Sequence, residues 1–219
     1  MEENSHRHNH SGKTLVEIHE DVPADHYDKG IKRNLFQKYW HSRRFSEIKK
    51  VLRQVDGPVL DVGCHSGTFT TFILNQIKTK EIYGVDISHS AIERIKKKIP
   101  YGHFQVADAT ILPFKDNFFD AVFCLEVLEH VDNPTEVIHE VRRVLKKDGY
   151  GVILVPTDNK LFRTVWFLWT MYYPVWRHAH VQSFSADSLE TKLKLVGFKI
   201  EKVKTFNMGM LKLVVFKNP

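Results

Sequence analysis

The sequence predicts an α/β fold: a mostly parallel sheet of seven strands with helices on both faces, closed by a C-terminal antiparallel hairpin. Two observations predict it. From residue 58 onward, short apolar runs rich in Val, Ile and Phe alternate with segments of helical period, the pattern of strands joined by crossover helices. The last two runs have only Asn207, Met208 and Gly209 between them. Parallel strands cannot be joined across so short a gap, but a hairpin can.

The elements follow in order. Residues 1–30 read as a flexible, His-rich arm in which His6, His8 and His10 alternate with polar residues, a composition that suits a solvated tail. Residues 31–219 read as a single domain. Its first element is a covering helix within 31–55, because Leu35, Phe36, Tyr39, Trp40, Ile48, Val51, Leu52 and Val55 recur at near-helical spacing, with a break expected near His41 and Ser42. Strands are expected near 58–62, 81–86, 102–107, 118–125, 149–156, 198–206 and 210–217, and helices near 67–78, 88–99, 133–146 and 185–196. Pro58 stands at the first position of its strand, where a missing N–H is tolerated.

An aromatic insert spans 157–184, and three of the four tryptophans, Trp166, Trp169 and Trp176, lie within its 160–176 stretch. That stretch is shorter than the roughly 20 apolar residues of a membrane span, and Arg163 interrupts it. Flanking Lys160, Arg163 and Arg177 suit a helix lying on a membrane surface. A lid over an apolar acceptor, or a helix packed on the domain's own core, fits the same residues.

A length of 219 residues with 42% hydrophobic and 26% charged content is that of one well-cored globular domain rather than a disordered chain. The net charge of +6 and an isoelectric point near 9.2 suit an anionic partner, either a membrane surface or nucleic acid, or else scattered solvated lysines. Cys64 and Cys124 fall in the predicted core and read as reduced thiols. The polar N-terminus has no apolar signal-peptide region. A cytoplasmic protein is expected, with peripheral membrane contact through 160–176 as its membrane option.

The most informative run is Pro58-Val59-Leu60-Asp61-Val62-Gly63-Cys64-His65-Ser66-Gly67. It reads as a buried strand that ends in a glycine turn and opens a helix. Gly63 and Gly67 allow a tight turn and close approach of the backbone to a ligand. Twenty-five residues after Asp61 the next strand ends in Asp86, an acid placed to take two neighbouring ribose hydroxyls. A dinucleotide loop would show G-x-G-x-x-G, which is missing here. Asp61 would repel a pyrophosphate and suits the ammonium of an amino-acid nucleoside. S-adenosylmethionine is therefore expected over a nicotinamide dinucleotide.

These motifs, in this order, resemble the class I S-adenosylmethionine-dependent methyltransferases over roughly residues 55–217. Val59 to Gly67 matches the first motif and Asp86 the ribose acid. The strand ending at Asp108 and Ala109 matches the adenine-binding turn. Phe119 to Leu125 matches strand four, and Val141 to Gly151 the helix and turn before strand five. The resemblance implies a Rossmann-like seven-stranded methyltransferase fold. It also implies cofactor contacts from Asp61, Gly63, Cys64, His65, Gly67, Asp86, Ile87, Asp108, Ala109 and Leu125. The family commonly has Gly where this chain has His65. In similar methyltransferases the N-terminal helices cover the cofactor, which makes Tyr39 and Arg43 or Arg44 candidates for the methionine end.

Beyond strand four, Glu126, Glu129 and His130 stand at i, i+3 and i+4, one face of a helical turn. Two readings stay open. The three residues, completed by His180 or less readily by His178, hold a divalent cation such as Mg²⁺. Alternatively, His130 acts as a base without metal. A structural role for all three is the plainest alternative. The E-x-x-E-H run with a later His resembles two branches, the polyprenyl-hydroxybenzoate O-methyltransferases of ubiquinone synthesis and the small-RNA 3′-terminal ribose 2′-O-methyltransferases. The first branch implies a small hydrophobic acceptor, quinone-precursor or lipid-like, with O-methylation. The second implies RNA, for which no appended binding module is seen. A non-catalytic adaptor binding a partner through 160–176 is the third reading.

Overall fold

The computed structural model describes residues 35–79, 81–172 and 188–219. The N-terminal arm, His178, His180 and the 173–187 part of the insert lie outside the described residues. Six helices and seven strands are described: α1 Leu35–Lys49, β1 Val59–Val62, α2 Thr68–Ile77, β2 Ile82–Asp86, α3 His89–Lys98, β3 His103–Val106, β4 Phe119–Leu125, α4 Pro134–Val144, β5 Leu145–Pro156, α5 Lys160–Tyr172, α6 Ser188–Leu195, β6 Lys199–Phe206 and β7 Leu211–Lys217.

The strands form one sheet in the order β3-β2-β1-β4-β5-β7-β6. The pairs from β3 to β5 are parallel, whereas β7 runs antiparallel to both β5 and β6. Strand order reverses between β1 and β4, so their carboxyl ends part at a switch point, where sheets of this kind bind ligands.

Both faces of the sheet are covered, which is why its central strands are apolar throughout rather than alternating. Val59, Ala121, Phe123, Val152 and Leu154 pack with Ile48 of α1, Ile73 and Ile77 of α2, and Ile92 and Ile95 of α3. Leu60, Val62, Val122, Cys124, Ile153 and Val155 pack the opposite face against Val137, Ile138 and Val141 of α4 and Leu189 and Leu193 of α6. Cys64 and Cys124 are free and buried, and burial pushes both thiols well above their ordinary range.

Two expectations need correction. α1 runs unbroken through His41 and Ser42 and stops at Lys49 rather than near 55. The Ser42 hydroxyl donates to the Tyr39 carbonyl (2.8 Å), so its competing hydrogen bond is satisfied within the helix. α4 stops at Val144, and β5 begins at Leu145, which pairs with Phe119. The C-terminus supplies the reason, because the Asn218 side-chain amide donates to the Leu145 carbonyl (2.7 Å) and its backbone exchanges hydrogen bonds with Asp148 and Gly149.

Candidate active site

Beyond the carboxyl ends of β1, β2 and β4 lies a solvent-open cleft, the place where sheets of this kind bind small molecules and cofactors. Its first wall is the turn after β1. Gly63 N–H and Cys64 N–H both donate to the Val85 carbonyl, at 2.8 and 3.0 Å, which ties the turn to β2. Gly63 has φ +72°, and a Cβ there would stand 2.2 Å from Val127 Cγ2. Glycine is required on both counts. His65 also has positive φ, +43°, a region where glycine is at ease and histidine is uncommon.

Asp86 clamps this turn to the next. His65 N–H donates to its Oδ2 and Ser88 N–H to its Oδ1, each at 2.9 Å. A carboxylate has about four lone-pair sites, so two remain for hydroxyl groups of a ligand. Ser88 also caps α3, accepting from Ala91 N–H (3.1 Å). Further along the wall, Asp108 Oδ1 accepts from the Thr110 N–H and hydroxyl, both at 2.8 Å, and its residue is exposed.

The structure brings Gly63, Cys64, His65, Asp86, Ile87, Asp108, Ala109 and Leu125 into the walls of one cleft, with Glu126 and His130 at the β4 end. Asp61, Gly67 and Glu129 are not among the wall residues. Asp61 is buried beneath the turn, where the Thr70 hydroxyl donates to it (2.5 Å). Burial raises its carboxyl to about 7, against the lowering effect of the Thr70 hydrogen bond, and nearby Asp86 adds to the rise. Gly67, at φ +81°, precedes α2, and a Cβ there would meet Ile95 at 2.8 Å. Its lack of a side chain makes room for α3.

The segment after β4 is a turn, not the helical face read from the i, i+3, i+4 spacing. Glu126 turns out of the strand at φ +61° while its N–H still donates to the Leu154 carbonyl (2.8 Å). Its carboxylate forms an ion pair with the buried guanidinium of Arg44. Arg44 lies over the rings of Trp40 and Phe69, 6.0 and 5.6 Å from their centroids, and its Nη2 is 3.0 Å from His41 Nδ1. Of the N-terminal candidates, Arg44 therefore reaches the cleft edge through Glu126. Arg43 lies 3.6 Å from Glu47, and Tyr39 is exposed. Glu129 is buried, and among the described residues no hydrogen-bond partner meets its Oε2. Burial, reinforced by the charge of Glu126, pushes its carboxyl well above the usual carboxylate range.

Among the described residues no group of three His, Cys, Asp or Glu side chains is arranged to hold a metal ion. Glu126 is paired with Arg44, and burial disfavours the charged form of Glu129. His180 lies outside the described residues. Sequence reasoning missed Thr68 and Phe69 in the first turn of α2, and Val127 and Val131, as wall residues. The first pair follows any ligand-binding turn that opens a helix. The second pair carries no signal that separates it from core.

The sheet order, the glycine turn and the ribose-type acid at the switch point define a class I S-adenosylmethionine-dependent methyltransferase fold. The chain belongs to the methyltransferase-domain family, whose model matches residues 34–203. A demethylmenaquinone methyltransferase of Leptospira interrogans is 30% identical over 240 residues, covering 90% of this chain and 96% of that protein. The ubiquinone/menaquinone biosynthesis C-methyltransferase of Desulfotalea psychrophila is 33% identical over 124 residues, 54% of this chain and 50% of that protein. The chain spans about half the length of several curated relatives it matches. A solved S-adenosylmethionine-dependent methyltransferase structure from Thermotoga maritima shares the fold, with a TM-score of 0.73 at 20% identity over 94% of this chain and 100% of that one.

Proposed function

We propose that this chain transfers the methyl group of S-adenosylmethionine to a small apolar acceptor of the quinone-precursor class. One observation carries the reading: the cleft joins the cofactor-type wall of Gly63, Cys64, His65, Asp86 and Asp108 to an acceptor-type wall of Val127, Val131 and His130. When bound, the cofactor supplies an electrophilic methyl group on a sulfonium. The free lone pairs of Asp86 suit its ribose hydroxyls, Asp108 and Ala109 its adenine, and Ile87 and Leu125 the flanking apolar contacts. Asp61 would face its ammonium from beneath the turn.

At the acceptor end, His130 is the candidate general base that takes the proton of an acceptor hydroxyl. Oxygen is the favoured methylated atom. A ring carbon activated by the same ionised hydroxyl is the second reading, supported by the relative named as a C-methyltransferase. The Arg44–Glu126 pair gives this wall no net charge, which suits an apolar partner. The route proposed here uses no divalent cation. An acceptor of this kind partitions into bilayers, so the reading carries with it a membrane-surface contact through residues 160–176.

The test is incubation of the protein with methyl-labelled cofactor and a cell extract, with and without chelator, followed by phase partition. Label in the organic phase that survives chelation is the expected result. Label in aqueous polymer would transfer the reading to RNA ribose methylation. Cofactor binding without label in either phase would favour the adaptor.

A further inference from the structure

We propose that the outward face of α5, together with the tip of the β6–β7 hairpin, docks on an anionic lipid bilayer and turns the cleft mouth toward it. This rests on the apolar-acceptor reading above. α5 leaves β5 just past Pro156, at the carboxyl end of the strand, and the cleft opens at the carboxyl ends of the neighbouring parallel strands. The two features therefore share one end of the sheet. Lys160, Arg163, Phe167 and Met171 fall on one face of α5 by helical spacing, and all four are exposed. Phe167 is 63% and Met171 56% exposed, while Phe162 on the opposite side is buried and stacks on Trp166 at 5.9 Å.

The hairpin adds a second apolar point. Met208 is 78% exposed and sits in a left-handed turn with Asn207, at φ +55° and +51°. The tip is fastened to the start of α5. Asn159 Nδ2 donates to the Met208 carbonyl (3.2 Å), the Thr157 hydroxyl donates to the Gly209 carbonyl (2.5 Å), and Thr157 N–H donates to the Met210 carbonyl (3.0 Å). Phe167, Met171 and Met208 thus project from one braced unit rather than from independent loops.

Charge selects the partner. Lys160 and Arg163 stand on the same face as the apolar residues, and Asp158 is the only acid from 157 to 172. Exposed aromatic and methionine side chains edged by cations fit the boundary between acyl chains and anionic headgroups. Among the described residues no helix is long and apolar enough to cross a membrane, so this contact lies on the surface.

The test is co-sedimentation of the full chain with vesicles of phosphatidylcholine alone and of phosphatidylcholine with phosphatidylglycerol. Binding is expected only with the anionic lipid, and should fall with salt. Neutralising Lys160 or Arg163 to Gln should weaken it about fivefold each. Phe167→Ser with Met208→Ser should weaken it at least ~10-fold, with cofactor affinity and transfer to a short-chain, water-soluble acceptor unchanged. Failure of the wild-type chain to bind anionic vesicles would overturn the proposal, as would binding that ignores these substitutions. A concentration-dependent dimer abolished by Phe167→Ser would also overturn it, by making a second copy the occupant. Transfer to a soluble acceptor without vesicle binding removes only this surface. Vesicle binding without transfer to any apolar acceptor supports the surface and removes the acceptor reading.

Discussion

The two ends of the cleft are built in different ways. At the β1–β2 end, backbone groups shape the wall: the Gly63 turn hydrogen-bonds to Val85, and Asp86 takes the N–H groups of His65, 21 residues back, and Ser88. At the β4 end, side chains from distant parts of the sequence meet. Arg44 reaches Glu126 across 82 residues and presses on Trp40 and Phe69. The first end is a local motif that any sequence with the right glycines and acids can write. The second is a tertiary assembly, and it is where the acceptor would be selected.

The largest effect expected from breaking this contrast is at Arg44. Arg44→Met leaves the carboxylate of Glu126 without its partner at a partly buried site and should cost about 3–5 kcal/mol in chemical unfolding. Adding Glu126→Gln should recover much of that loss. A neutral Arg44→Met would mean that the pair does not hold α1 to the cleft. On the backbone-built side, Gly63→Ala combines a left-handed φ with a 2.2 Å approach to Val127. It should cost roughly 2–5 kcal/mol and at least ~100-fold in cofactor affinity by calorimetry. A Val127→Ala background should relieve the clash but not the backbone strain.

Asp61 gives a pH-dependent test. Its folded pKa, about 7, lies above the ordinary 3.8. The native state therefore holds the extra proton, and stability falls as pH rises between those values. Asp61→Asn should match wild-type stability near pH 4 and exceed it by roughly 2–4 kcal/mol above pH 8. The same substitution should weaken cofactor binding. Equal unfolding curves at both pH values would show that the carboxyl is not strained by burial. The smallest effect is at Glu129. Because burial disfavours its charged form, Glu129→Gln should change stability at pH 7 by less than about 1 kcal/mol and leave activity within a few-fold. Loss of activity there would point to a working carboxylate and reopen the cation reading.

The same division separates what was legible in the sequence from what was not. The strands, the glycine turn and the wall positions of Asp86, Asp108 and Leu125 follow from periodicity, spacing and family resemblance, because their determinants lie within a few tens of residues. The spacing of Glu126, Glu129 and His130 suggested a shared helical face. Sequence spacing cannot show that Glu126 leaves the strand at positive φ toward a helix far upstream, or that Glu129 is buried. The early start of β5 was hidden for a similar reason, since its partner Asn218 lies 73 residues away. Met208 read only as a turn residue, and its link to α5 through Asn159 is a tertiary fact.

The most direct measurement compares cofactor affinity with methyl transfer in His130→Ala. If the two ends of the cleft are separate devices, cofactor affinity by calorimetry should stay within about twofold of wild type, while transfer to the acceptor falls roughly 10²–10⁴-fold. Loss of both together, or of neither, would contradict the assignment of one end to the cofactor and the other to the acceptor.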